Sequence, residues 1–235
     1  MLSALLIYQF PQHYALDLVR AYSSGFADRV LPGFHDIEAE ADAASEAYFD
    51  SRMNQVASYD GPWEDEGAVA EDAEEHGFSL YTDLEFVRQQ VTGLAIAGLY
   101  HLWERLLKEF LETSFRAIDP PVAPQTVRRA DFNVMVVWLR ERFGWDIEAE
   151  DFFADLDQLH LVANVVKHGD GKSCEALLEK APRLFHDFGH PSANERRGAD
   201  DLRLEREHFV QFAGSVVQFI ECFPTVGRQP VASTR

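Results

Sequence analysis

The stretch YTDLEFVRQQVTGLAIAGLYHLWERLLKEFLETSF, residues 81–115, constrains this chain more than any other segment. It contains no proline. Leu84, Val87, Val91, Leu94, Tyr100, Trp103, Leu107, Phe110 and Leu111 recur at helical spacing and give it a wide apolar face. Thr82 and Glu85 have the S/T-x-x-E spacing of a capping box, which predicts a helix start there. At about 1.5 Å per residue the helix is about 50 Å long. A helix of that length needs several neighbours, or a second chain, to cover it. It ends before DPPVAP, whose three prolines predict a stiff linker.

The other segments follow the same period. Phe34, Ile37, Ala41, Ala44, Tyr48 and Met53 predict a helix over residues 36–58, ended by Gly61 and Pro62. FNVMVVWLRERFG, DQLHLVANVVKH, SCEALLEKA and LEREHFVQFAGSVVQFIECF read as further helices. HDFGHPSANERRGADD reads as a loop, and PTVGRQPVASTR as a tail. No run of residues alternates long enough for a strand series, and no internal repeat appears. The expectation is an all-α helical bundle of about six to seven helices with one long central helix. The N-terminal half, 1–118, carries the acidic segment 60–75. The C-terminal half, 119–223, and the tail, 224–235, complete one compact domain.

Charge narrows the partners. Against 21 Lys and Arg stand 40 Asp and Glu, a net charge of −19. Residues 1–118 carry −14 of it and residues 119–235 only −5. Long-range repulsion disfavours a phosphate backbone, so any RNA or nucleotide contact belongs in the second half. Eight acids lie between Asp60 and Glu75, and no Lys or Arg occurs between Arg52 and Arg88. This segment reads as a solvated loop or a loosely held helix, with a contact for a basic protein partner as the functional alternative. The two cysteines, Cys174 and Cys222, have no metal-binding spacing and suit a reducing cytoplasm. The opening MLSALLIYQF lacks a basic leader and is too short to span a bilayer, so no membrane partner is expected.

The chemistry-bearing stretch is DQLHLVANVVKHGDGKS, residues 157–173. At about 100° per residue, Asp157, His160, Asn164 and His168 fall within an arc of about 80°. An amphipathic helix shows such a stripe to water as a matter of course. This one lacks Glu, Gln and Arg, holds two histidines, and ends at Gly169 and Gly171 with Lys167 and Lys172 beside the turn. His160 and His168 are about 12 Å apart along the axis, too far to share a metal ion, so neither metal nor cofactor is expected. His168 could shuttle a proton, Asn164 could position a substrate, and a neighbouring cation could stabilise developing charge.

LVANVVKHGDG resembles the late helix of HEPN-type proteins. Asn164-Val165-Val166-Lys167-His168 matches the N-x-x-x-H of their R-N-x-x-x-H motif, while Ala163 stands where the arginine falls. The resemblance implies an all-α, dimeric protein of bacterial toxin–antitoxin, stress or defence systems. It implies metal-independent endoribonuclease chemistry in a cleft composed from two copies, with Asn164 and His168 carried over. Lys167 supplies a point charge without the bidentate fork of arginine, and His160 lies on the same line. The missing arginine makes a degenerate, binding or regulatory form the expectation. A rival motif, LFHDFGHP at residues 184–191, resembles the H-D-x-G-H-P signature of HD-domain metal-dependent phosphohydrolases. Its His186 and Asp187 would share a divalent ion with a histidine such as His160 or His168 and an aspartate such as Asp200 or Asp201. On the long helix, His101 and Glu104 are the one other polar intrusion, and His101 joins the stripe if the two helices pack together. A non-enzymatic interaction module that uses the acidic segment is the third alternative.

Overall fold

The computed structural model describes residues 9–57, 65–116, 122–186 and 198–224. Among them the fold is all-α and contains no named strand; one isolated bridge joins Phe185 to Leu202. The helices are α1 (Gln12–Gly25), α2 (Ile37–Ala57), α3 (Glu66–Phe115), the single turn α4 (Pro124–Arg129), α5 (Phe132–Phe143), α6 (Phe153–His168), α7 (Lys172–Lys180) and α8 (Arg206–Cys222). Among the described residues, no helix is long and apolar enough to cross a membrane.

Two compact units are present. One comprises Met1–Gly25 and Gly93–Arg235, the other Phe26–Thr92. The long helix α3 supplies residues to both.

In the larger unit the core is aromatic. Trp103, Phe115, Phe132, Phe209, Phe212 and Phe219 are each less than 2% exposed. Trp103 of α3 packs edge-on against Phe219 of α8 at 5.3 Å and lies 5.8 Å from Phe132 of α5. Contacts of this kind add about 0.5–1.5 kcal/mol per pair to the area they bury. The helix ends follow local chemistry. The Asp131 carboxylate accepts the Val134 N–H at 2.9 Å and caps α5, and Gly144 closes it at φ 66°. At the start of α8 the His208 Nδ1 accepts the Glu205 N–H at 3.0 Å. The opening helix α1, which the apolar spacing of residues 1–35 does not announce, pairs with α8. The Gln12 side-chain amide donates to the carbonyls of Ile220 and Phe223 at the α8 C-terminus, at 3.0 and 3.1 Å.

The smaller unit places α2 against the first half of α3. Its tightest point is Gly77, where an added Cβ would lie 2.9 Å from both the Ala41 carbonyl oxygen and the Ser45 Cβ. Beside it, Tyr48 of α2 stacks on His76 at 5.0 Å.

The long helix begins 16 residues before the expected start. Thr82 is an interior residue, and its hydroxyl donates back to the Phe78 carbonyl at 2.9 Å instead of capping a helix end. Residues 66–75, read above as a loop or a loosely held helix, form the opening turns of α3, anchored by Val69 and Ala73, which are 2% and 3% exposed. Acids between those anchors obscured the apolar period. With 50 residues α3 is about 75 Å long.

Two outcomes test this packing. Gly77→Ala raises intrinsic helix propensity by about 1 kcal/mol, yet the close approach of α2 predicts a net loss of stability, read as faster proteolysis within residues 26–92. Burial holds His208 below its ordinary value of 6.5, with Arg183 beside it, against the opposing pull of Glu205 and Glu207. The contribution of this cap is therefore complete above pH 6.5 and declines as pH falls from there. His208→Gln should remove that part of the acid sensitivity in thermal melts at pH 5 and 7.5.

Candidate functional site

Helix α6 is buried on nearly all sides. Leu156, Gln158, Leu159, Leu161, Val162, Ala163 and Val165 are buried, and only Ala154, Lys167 and His168 are exposed. A helix covered all round belongs to the interior of a bundle. It packs on α7 and α8, and Gly93 lets α3 come close: a Cβ there would lie 3.3 Å from the Val166 side chain.

The polar stripe is consequently not a wet face. Asp157 and His160 have side chains only 16% and 15% exposed. The His160 imidazole lies flat on Phe132, 4.5 Å between centroids and 7° between planes, with the Tyr100 ring 5.7 Å away. Its Nε2 lies 2.9 Å from the Asn164 Nδ2. With the amide donating, Nε2 accepts and the ring hydrogen lies on Nδ1. That nitrogen is buried without a hydrogen-bond partner and faces the Asp157 carboxylate at 3.9 Å. Asp157 in turn accepts from the Lys180 ammonium of α7. Burial raises the carboxyl, but His160 and Lys180 outweigh it and hold Asp157 below its ordinary value. Tyr100 is pushed the other way: burial first, then the charges of Glu104 and Asp131, raise its phenol and keep it protonated.

The line Asp157, His160, Asn164, His168 therefore splits. The first three are held in the interior as a linked set. His168 is the last residue of α6 and is exposed together with Lys167. Gly169 follows at φ 75°, its N–H donating to the Val165 carbonyl at 2.8 Å, and Gly171 at φ 131° leads into α7. Both values favour glycine. Lys172 is exposed at the start of α7, so the turn presents Lys167, His168 and Lys172 on one surface segment. Lys167 also lies at the negative end of the α6 dipole.

Two further polar groups of α6 were not singled out by spacing. Gln158 is buried and accepts from the Arg183 guanidinium at 2.9 Å, and Asp155 accepts from Gln211 of α8 at 2.7 Å. Each crosses to another element, as does Asp157 to Lys180. A long polar side chain at a near-buried helical position is the available signal, but it names no partner.

His101 does not join the stripe. It is about half exposed and pairs with Glu104 on its own helix at 3.3 Å, and its neighbour Tyr100 reaches His160 instead. In the rival motif only Leu184 to His186 lie within the described residues; Asp187 to Pro191 lie outside them. His186 donates its backbone N–H to the Asp201 carbonyl, and the Asp201 carboxylate accepts from the Gly198 N–H at 2.8 Å. Among the described residues, no three His, Cys, Asp or Glu side chains converge for a metal ion.

No protein-family model matches the chain, and no curated protein or solved structure matches it significantly.

The Asp157 linkage gives a direct check. Asp157→Asn should cost about 1 kcal/mol near pH 7, a modest sum because Lys180 is half exposed and screened. A lowered carboxyl contributes fully above its ordinary value of 3.8 and loses its contribution as pH falls below that. Wild type and variant should therefore converge in urea titrations below pH 3.8 and differ above it.

Proposed function

We propose that this protein is a non-cleaving, HEPN-like helical homodimer that holds RNA or a nucleotide at the C-terminal end of α6. The observation that carries the reading is Ala163. The position that would bear the motif arginine is 1% exposed and packed in the core, so this fold presents no cation from it. Asn164, the second motif residue, spends its amide on His160. What remains outward is Lys167, His168 and the glycine turn, a surface suited to a phosphate oxygen.

His168 alone lacks the cation that would stabilise a pentacovalent transition state beside it, and Lys167 offers one charge without a fork. The homodimer follows from the family resemblance, in which two copies compose the cleft. Of the chain's net −19, residues 26–92 carry 17 acidic and three basic residues, a net of −14. The larger unit carries only the remaining −5.

The experiment pairs cleavage with binding. Fluorescent single-stranded RNA incubated in EDTA should stay intact, and its anisotropy should report weak, salt-sensitive binding. Lys167→Glu and His168→Ala should each weaken that binding by about threefold to tenfold. Cleavage abolished by His168→Ala would make the protein an active nuclease and overturn the non-cleaving reading. Binding indifferent to both substitutions would remove the surface. A monomer by light scattering at the binding concentration would remove the dimer.

A further inference from the structure

The smaller unit holds a groove that the α6 reading does not use. It lies between α2 and α3 and has a volume of about 330 Å³. Its floor is apolar: Phe49 and Ala70 are half-buried, and Ala73 is buried. Its rim carries three exposed carboxylates, Glu46, Asp50 and Glu74. No ion pair holds these three among the described residues. The floor is rigidly framed, because Gly77 brings the two helices into contact one turn further along.

We propose that this groove docks a basic, amphipathic segment of another protein, taking a lysine or arginine side chain along its length. The aliphatic stem of such a side chain lies on Phe49 and the two alanines, and its cationic head meets the carboxylates. The phenyl face adds a cation–π attraction. Residues 26–92, the unit that holds the groove, carry 17 acids against three bases, a balance that draws a cationic partner in. Phe78, one turn along α3 from Glu74, is 70% exposed.

Charge excludes the competing occupants. A second copy of the unit would bring −14 against −14, and nucleic acid or an anionic bilayer would be repelled in the same way. A metal ion is not matched, since no three ligating side chains converge among the described residues. Another groove of the unit, about 480 Å³ beside Asp36 and Glu38, already contains its own cation, because Arg88 pairs there with Glu85 at 2.6 Å. The inference stands independently of the α6 reading, whose residues all lie in the larger unit.

The test titrates the full-length protein into a fluorescein-labelled helical peptide of lysine, leucine and alanine, with the glutamate-for-lysine peptide as its counterpart. The basic peptide should bind with an affinity that falls as salt rises, and the acidic one should not bind. The triple variant Glu46→Gln, Asp50→Asn, Glu74→Gln should weaken binding by about tenfold. A control that removes the same charge away from the groove, Asp28→Asn, Glu40→Gln, Asp83→Asn, should weaken it by less than about twofold. Circular dichroism of both variants checks that the helices persist. Equal losses in the two triples would mean diffuse attraction and overturn the groove. Binding of the acidic peptide, or absence of binding by the basic one at millimolar concentration, would overturn the proposal outright.

Discussion

The stack of His160 on Phe132 fixes which way α6 faces. A ring that lies 7° from parallel at 4.5 Å fixes the plane of the imidazole, and the hydrogen bond with Asn164 sets which ring atom lies where. Nε2 meets Asn164, Nδ1 points at Asp157, and Asp157 turns to Lys180 of α7. The same Phe132 lies beside Trp103 of α3, which packs on Phe219 of α8. The polar line and the aromatic core of the larger unit therefore share one residue. Removing the Phe132 ring would free the imidazole and open the centre of four helices at once.

That arrangement changes the meaning of a polar stripe. Spacing of three and four residues places groups on one face but does not say what covers the face. Here Lys180 of α7, Tyr100 of α3 and Phe132 of α5 lie against its first half. Asp155, Asp157, Gln158 and His160 act as cross-links between elements in a low-dielectric interior, where hydrogen bonds set alignment as well as stability. Only at the helix end, where the glycine turn leads the chain away, do Lys167 and His168 reach solvent. Burial thus divides one sequence motif into a structural part and a surface part.

Much of the fold was legible. Helices α2, α5, α6, α7 and α8 lie within a few residues of where the apolar period and the stop at Gly169 place them. What was not legible has physical causes. The start of α3 was hidden because Val69 and Ala73 suffice to seat turns that are otherwise acidic. Thr82 and Glu85 have capping-box spacing, but that spacing cannot distinguish a helix start from a solvent-facing turn inside a longer helix. Helix α1 is held through Gln12 and its packing on α8, tertiary contacts that leave no local pattern. At the site, the grouping of Asp157, His160 and Asn164 was readable from the helical wheel. The separation of His168 was not, because it depends on neighbours from other elements of the chain, such as Lys180, Tyr100 and Phe132.

The two units also divide the electrostatics. Nearly three-quarters of the net charge lies in residues 26–92, and the larger unit is close to balanced. A chain that looks uniformly acidic by composition holds a strongly anionic helical pair and a nearly neutral bundle, and the two present different surfaces to different chemistries.

The central claim is that α6 buries His160 while exposing His168. Acylation of histidine by diethyl pyrocarbonate, mapped by mass spectrometry of peptides from the native protein, measures this directly. The account predicts rapid modification at His168 and protection at His160 until the protein is unfolded. Modification of His160 as fast as His168 in the native state would contradict it.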